Sequence, residues 1–222
     1  MNRTIILEAK NISKYYEDGQ VKAVDNVSLQ VYSGEILIIR GPSGCGKSTL
    51  MHLLGGLDSP SSGVVYFKEQ PIHEACRKTG FRVKNLGFVF QAFYLWQNLN
   101  VLENVMLPLM ELPLNGKDRI IRAKAIINDL GLADKVRASV KVLSMGQRQR
   151  VAVARALVAG PSIILADEPT GSLDSSNTEN ILQLFRGLNR KHGVTIVMVT
   201  HENTSKEYYD RQVQLLDGKI CI

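Results

Sequence analysis

The sequence predicts an α/β fold in which a mostly parallel sheet is interrupted by a helical insert and preceded by a small strand-rich region. Three observations carry this. The strand-like EILIIR (Glu35–Arg40) runs directly into a glycine-rich loop and then into a helix-forming stretch. Two later apolar runs, SIILAD and VTIVMVT, have the continuous hydrophobicity of strands buried on both faces, with a helical stretch between them. From about Asn100 to Val158 the apolar residues fall at helical spacing instead, so an α/β core is broken by helices.

The elements follow in order. TIILEAKNIS and AVDNVSLQV have strand-like patterns, broken at Asp18-Gly19 and Ser33-Gly34. Ser48 to Leu57 reads as a helix, stopped by Gly55-Gly56 and Asp58-Ser59-Pro60. Gly63–Phe67 and Leu86–Phe90 are further strands. In the helical stretch, Asp118 to Leu130 is periodic and ends at Gly131. Ser144 is an N-cap for a helix starting near Gly146, with Val151, Ala154, Leu157 and Val158 as its apolar stripe and Gln149, Arg150 and Arg155 on a polar side. A helix from about Asn177 to His192 follows SIILAD, and VQLLDGKICI is a strand pair turning at Asp217-Gly218.

Composition narrows the class. The chain has 222 residues, 45% of them apolar and 22% charged, enough for one large core and far from disorder. No apolar run reaches the length of a membrane span, and MNRTIILEAK has no signal-peptide hydrophobic region. Cys45, Cys76 and Cys221 are odd in number and form no metal-ligand spacing, which fits a reduced compartment. The net charge of +6 is spread along the chain; it is compatible with nucleic acid, with an anionic surface, or with solubility alone.

Gly41-Pro42-Ser43-Gly44-Cys45-Gly46-Lys47-Ser48-Thr49 satisfies G-x-x-x-x-G-K-[ST] in full, between a strand and a helix. The glycines let backbone N–H groups face phosphate oxygens, and the helix N-terminus adds partial positive charge. Lys47 is expected to reach the β- and γ-phosphates and Ser48 to hold Mg²⁺. Cys45 is either a small filler or a thiol activated by the helix terminus.

Asp167 and Glu168 end a buried-type strand, where ligands of a parallel sheet gather. Asp167 is a candidate for the Mg²⁺ shell and Glu168 for polarising an attacking water. His201 ends another strand at the same predicted edge, as a structural residue or as a γ-phosphate partner.

The order GPSGCGKST, Gln91 in VFQ, LSMGQ (Leu143–Gln147), IILADE, SLD at Ser172–Asp174 and His201 in VTH resembles the ATP-binding subunit of an ABC transporter, over essentially the whole chain. The resemblance implies one ABC ATPase domain over residues 1–222. Residues 1–91 and 159–222 would form a P-loop NTPase (RecA-like) α/β core with an N-terminal antiparallel β subdomain, and residues 92–158 an inserted α-helical subdomain bearing the signature LSMGQ. It implies ATP and Mg²⁺ as ligands. It also implies a head-to-tail pair of copies, in which Ser144, Gly146 and Gln147 of the signature meet the ATP held by the partner's phosphate loop. Asp174 would link the two sites, Gln91 would sense Mg²⁺, and Tyr16 would stack on adenine, with its neighbour Tyr15 structural. Glu168 and His201 are the implied catalytic pair; Ser48, Gln91 and Asp167 are the implied metal set.

LGFVFQAFYLWQNLNVLENVMLPL and IILADEPTGSLDS further resemble the branch of macrolide-export and lipoprotein-release ATPases, the MacB/LolD type. That branch implies an integral-membrane permease partner with a large extracytoplasmic domain, no nucleic acid, and a cytoplasmic chain peripheral to the inner face of the cell membrane. Phe93-Tyr94-Leu95-Trp96 is either the permease contact or core of the helical insert. The competing class is a soluble ABC ATPase acting on nucleic acid or ribosomes. One departure stands out: Met145 replaces the usual first glycine of the signature, which would strain any left-handed backbone there.

Overall fold

The computed structural model describes residues 4–16, 21–171 and 175–221. Two sheets organise them. The first, antiparallel, contains β1 (Ile5–Tyr16), β2 (Val21–Tyr32), β4 (Ser62–Phe67) and the two-residue β5 (Gln70–Pro71), in the order β2-β1-β4-β5. The second contains β3 (Ile36–Arg40), β6 (Leu86–Phe90), β7 (Ile163–Asp167), β8 (Thr195–Thr200), β9 (Arg211–Leu216) and β10 (Lys219–Cys221), in the order β10-β9-β3-β8-β7-β6. Only the β9–β10 pair of this sheet is antiparallel. Asp217 and Gly218 turn it with φ of 46° and 74°, as an Asp-Gly hairpin requires.

The helices are α1 (Lys47–Leu54), α2 (Ile72–Cys76), α3 (Phe81–Asn85), α4 (Val101–Met106), α5 (Gly116–Asp129), α6 (Met145–Leu157) and α7 (Ser175–His192). Local chemistry sets several starts. Asn100 and Glu103 close a capping box on α4, Asn115 caps α5, and Ser144 and Gln147 close a second box on α6. β5, α2 and α3 lie in a stretch whose sequence has no clear period, and α1 starts one residue before the expected Ser48.

The central strands β3, β7 and β8 are buried on both faces, which is why they read as unbroken apolar runs. Ile36, Ile38, Val89, Ile164, Ala166, Ile196 and Met198 share one apolar cluster with α4, α5, α6 and α7. Leu37, Ile39, Leu165, Val197 and Val199 share the other with α1 and the antiparallel sheet. The helical stretch is thus built onto one face of the sheet. In α6, Val151 to Ala154, Ala156 and Leu157 are buried, so its C-terminal half is enclosed on most sides. The expected polar side of α6 is corrected at Gln149: it is fully buried, and its amide has no hydrogen-bond partner among the described residues.

Candidate nucleotide site

Strand register builds the site. Phe90 pairs with Asp167, Asp167 with Val199, and Arg40 with Thr200, so the C-terminal ends of β6, β7, β8 and β3 are level. The residues just past those ends, Gln91, Glu168, His201 and Gly41, therefore share one edge.

The phosphate loop leaves β3 there. Gly44 and Gly46 adopt φ of 80° and 99°. A Cβ on Gly46 would lie 1.9 Å from the Ala23 carbonyl oxygen, so only glycine fits. The β9–β10 turn braces the loop from behind: the Gly218 N–H donates to the Cys45 carbonyl at 3.0 Å, and the Asp25 N–H to the Gly218 carbonyl at 2.9 Å. The sequence displays the Asp-Gly turn but not its docking under the loop. Pro42, Ser43, Gly44 and Ser48 are exposed, whereas Cys45 is buried in the apolar cluster beneath. The Cys45 backbone thus belongs to the loop, and its thiol packs as a filler.

Lys47 is buried, and its Nζ donates to the carbonyls of Gly41 at 3.0 Å and Pro42 at 2.8 Å. Glu168 Oε1 lies 3.5 Å from that Nζ and 3.3 Å from His201 Nδ1. His201 is thereby placed on the Glu168 carboxylate. Glu168 holds φ of 42°, a left-handed backbone that costs a non-glycine residue on the order of 1–3 kcal/mol. Its N–H donates to the Val199 carbonyl at 3.0 Å, and its own carbonyl accepts from Gly171 at 3.1 Å. Strain of this kind aims the carboxylate away from the line of β7. A Cβ on Gly171 would meet Gln91 Nε2 at 3.0 Å and Glu168 Oε2 at 3.4 Å, so Gly171 leaves room for the Gln91 amide beside Glu168.

Ser48 Oγ donates to Asp167 Oδ1 at 3.1 Å. Burial pushes the Asp167 carboxyl above its ordinary pKa, against the lowering effect of that hydrogen bond. These two hard oxygen donors suit Mg²⁺, which takes one or two protein oxygens and completes its shell with phosphate and water. Among the described residues no group of three or more His, Cys, Asp or Glu could hold a metal ion.

Tyr16 is 40% exposed, and Tyr15 is the more buried of the pair. The Tyr16 hydroxyl donates to Asp58 Oδ2 at 3.0 Å, and Thr49 of the loop lies in hydrogen-bond reach of it. Lys14 Nζ sits 5.1 Å from the ring centre and donates to Asp58 Oδ1 at 2.8 Å. Burial, and then the Asp58 carboxylate, raise the Tyr16 pKa. Neither Lys14 nor Asp58 carried a motif in the sequence.

Ser144, Gly146 and Gln147 lie elsewhere. They line a cavity of about 230 Å³ with Gly131, Leu132 and Arg150, and no residue of the phosphate loop lines it. Ser144 Oγ accepts from the Gln147 N–H at 3.3 Å, and Gln147 Oε1 accepts from the Ser144 N–H at 3.0 Å. The Gln147 amide oxygen is engaged in the cap, and Ser144 Oγ is used there as an acceptor. Met145 is the first residue of α6, 48% exposed and outside the left-handed region, so the missing glycine causes no backbone strain. Asp174, with Ser172 and Leu173, lies outside the described residues. The Phe93–Trp96 patch divides: Leu95 is core and Phe93 packs on it, while Tyr94 and Trp96 are 66% and 65% exposed.

Comparison with known proteins places the chain in a family. Residues 24–171 match the ABC transporter family. The chain is 44% identical over 219 residues to an uncharacterized ABC transporter ATP-binding protein of Methanocaldococcus jannaschii, covering 97% of each. It is 43% identical to the lipoprotein-releasing system ATP-binding protein LolD of Colwellia psychrerythraea, covering 97% of this chain and 85% of that one. Among solved structures it is similar to the ATP-binding cassette MJ0796, in a dimeric post-hydrolysis state bound to ADP and Pi. The TM-score is 0.87 and the identity 39%, covering 97% of this chain and 96% of that one. With the glycine loop, Lys47, the Asp167–Glu168 pair and His201 gathered at one sheet edge, the chain belongs to the ABC transporter family, as one of its ATPase subunits.

Proposed function

We propose that two copies of this chain close on two Mg·ATP and reopen after hydrolysis, driving movement in a membrane permease. The observation that carries this reading is the separation of Ser144 and Gly146 from the phosphate loop of their own chain. The N-terminus of α6 has outward N–H groups, a partial positive charge and a donor hydroxyl, all suited to phosphate. A second copy, packed head to tail, supplies the ATP that this anion site lacks. The dimeric state of the similar MJ0796 cassette supports the pairing of two copies.

In the reaction, the glycine loop and Lys47 hold the phosphates, since charged oxygens outcompete the neutral carbonyls of Gly41 and Pro42 for the ammonium. Bound Mg²⁺ supplies charge neutralisation, with Ser48 and Asp167 as its protein oxygens. Glu168 accepts a proton from the attacking water, and His201 and Lys47 hold the carboxylate for it. Gln91, beside Glu168 at the end of β6, senses the metal and the phosphate. Tyr16, steadied by Asp58, offers its ring to adenine, and Asp174 spans the two sites.

A permease partner, and hence a peripheral place on the inner face of the membrane, is supported by a groove of about 530 Å³. Its lining combines apolar Val83, Phe88 and Phe90 with charged Arg77, Arg82 and Glu111, and Tyr94 and Trp96 are exposed on the segment that follows β6. Among the described residues no helix is long and apolar enough to cross a membrane. By analogy with lipoprotein release, the permease carries a large extracytoplasmic domain and moves it mechanically. The test is self-association with Mg·ATP, by sedimentation, of wild type and Glu168→Gln. The variant accumulates an ATP-dependent dimer that is lost on adding Ser144→Arg. A dimer indifferent to Ser144→Arg would refute the shared site.

A further inference from the structure

Just after Gln91 the chain makes a turn that its own residues disfavour. Phe93 and Tyr94 hold φ of 58° and 46°, two consecutive aromatic residues in the left-handed region. Such a pair persists only where the surroundings impose it. Two contacts are local: the Phe93 N–H donates to the Phe90 carbonyl at 3.1 Å and the Tyr94 N–H to the Ala92 carbonyl at 2.6 Å.

The third comes from afar. Arg155, in the last turn of α6, donates from Nη2 to the Phe93 carbonyl at 2.7 Å and from Nη1 to the Tyr94 carbonyl at 2.6 Å. Left-handed backbone at both residues turns the two carbonyls toward one guanidinium. Arg155 has no carboxylate partner among the described residues, and burial depresses its pKa. A half-buried cation whose side-chain hydrogen bonds, among the described residues, go to this turn is committed to it. Downstream, the fully buried Asn104 of α4 takes up the same segment. Its Oδ1 accepts from the Trp96 N–H at 2.8 Å, and its Nδ2 donates to the carbonyls of Trp96, Leu99 and Asn100 at 3.0 to 3.1 Å. Residues 93–100 are thereby fastened to the helices, directly after Gln91 and Ala92.

We infer that Arg155 is a positioning residue for Gln91, tying the C-terminal end of the signature helix to the turn that holds the Gln91 amide beside Glu168. The consequence is coupling between the two nucleotides. The N-terminus of α6 faces the ATP of the second copy, its C-terminal turn sets the sensor of its own ATP, and thirteen residues of helix span about 20 Å between them. The inference rests on the proposed role of Gln91.

The test compares Gln91→Ala, Arg155→Ala, Arg155→Lys, Gln91→Ala/Arg155→Ala and Gln91→Ala/Arg155→Lys in the full chain. Steady-state ATP hydrolysis is measured across Mg²⁺ concentration, with folding checked by thermal unfolding. Gln91→Ala and Arg155→Ala should each lower kcat by roughly 10- to 100-fold and raise the Mg²⁺ needed for half-maximal rate, with KM for ATP within about twofold. The double variant should be no slower than Gln91→Ala, because Arg155 has nothing left to position. Arg155→Lys, which keeps the charge but cannot serve both carbonyls, should fall between, and its deficit should also vanish in the Gln91→Ala background. If Arg155→Ala does not fold, the lysine variant carries the test. Losses that multiply in the double variant, or unchanged kcat and Mg²⁺ dependence in Arg155→Lys, overturn the inference. If Gln91→Ala alone leaves both unchanged, the reading of Gln91 is wrong and the inference falls with it, a pattern distinct from the others.

Discussion

Three glycines of the phosphate loop separate two costs that usually come together. Gly44 has φ of 80°, and no atom lies within 4 Å of where a Cβ would stand, so Gly44→Ala adds backbone strain alone. Gly41 is outside the left-handed region, but its Cβ would meet the Leu215 carbonyl oxygen at 2.2 Å and Cys45 Sγ at 2.6 Å, so Gly41→Ala adds overlap alone. Gly46 combines φ of 99° with a Cβ 1.9 Å from the Ala23 carbonyl oxygen. Left-handed backbone costs an L-residue about 1–2 kcal/mol. Forcing a strand backbone to shift costs about 1–3 kcal/mol. Gly44→Ala should therefore lose about 1–2 kcal/mol, Gly41→Ala about 1–3, and Gly46→Ala about 2–5. At roughly 2–4 °C per kcal/mol for a chain of this size, Gly44→Ala lowers Tm by about 2–8 °C and Gly46→Ala by about 4–20 °C. The assay is thermal unfolding without nucleotide, because bound ligand would add its own stabilisation. A Gly46→Ala protein as stable as Gly44→Ala would refute the overlap with Ala23 and the close fit of loop to β2.

Other outcomes follow from the same geometry. Burial raises the Asp58 pKa, but Lys14, the Ser59 N–H and the Tyr16 hydroxyl outweigh it, so the net shift is downward. A depressed carboxyl stabilises the fold above its unfolded pKa and loses that contribution as pH falls through the folded value. Asp58→Asn should therefore lower Tm at neutral pH, with the difference closing below roughly pH 4, and should weaken ATP binding by loosening Tyr16; a Tm difference constant with pH would contradict the network. Met145→Gly should leave ATP hydrolysis unchanged or raised, since Met145 is exposed and unstrained, while costing about 0.5–1 kcal/mol for glycine within a helix. A sharp loss of activity would mean that Met145 makes a needed contact. A thiol reagent on the native protein should label exposed Cys221 and spare buried Cys45 with or without ATP, read by peptide mass; protection of Cys45 only by ATP would place its thiol against the nucleotide.

What the sequence by itself determined is local. The glycine spacing around Lys47, the cap at Ser144, the apolar strand ending in Asp167 and Glu168 and the turn at Asp217-Gly218 are each written within a few residues, because dihedral preference and capping act over that range. The α/β class and the position of the helical stretch followed from periodicity, which says which face of an element is apolar. Periodicity does not name the partner. Gln149 and Arg155 both read as polar helix surface, yet one is fully buried and the other reaches the carbonyls of Phe93 and Tyr94 some sixty positions away. Asn104 and Asp58 carried no motif because their hydrogen bonds go to main-chain groups or to residues that no local pattern couples to them. The level strand ends that bring Gln91, Glu168 and His201 together are a property of sheet register, and so is the separation of Ser144 from its own phosphate loop a property of the assembled fold. Only tertiary structure decides these, since burial and long-range hydrogen bonds depend on which distant segments are packed side by side.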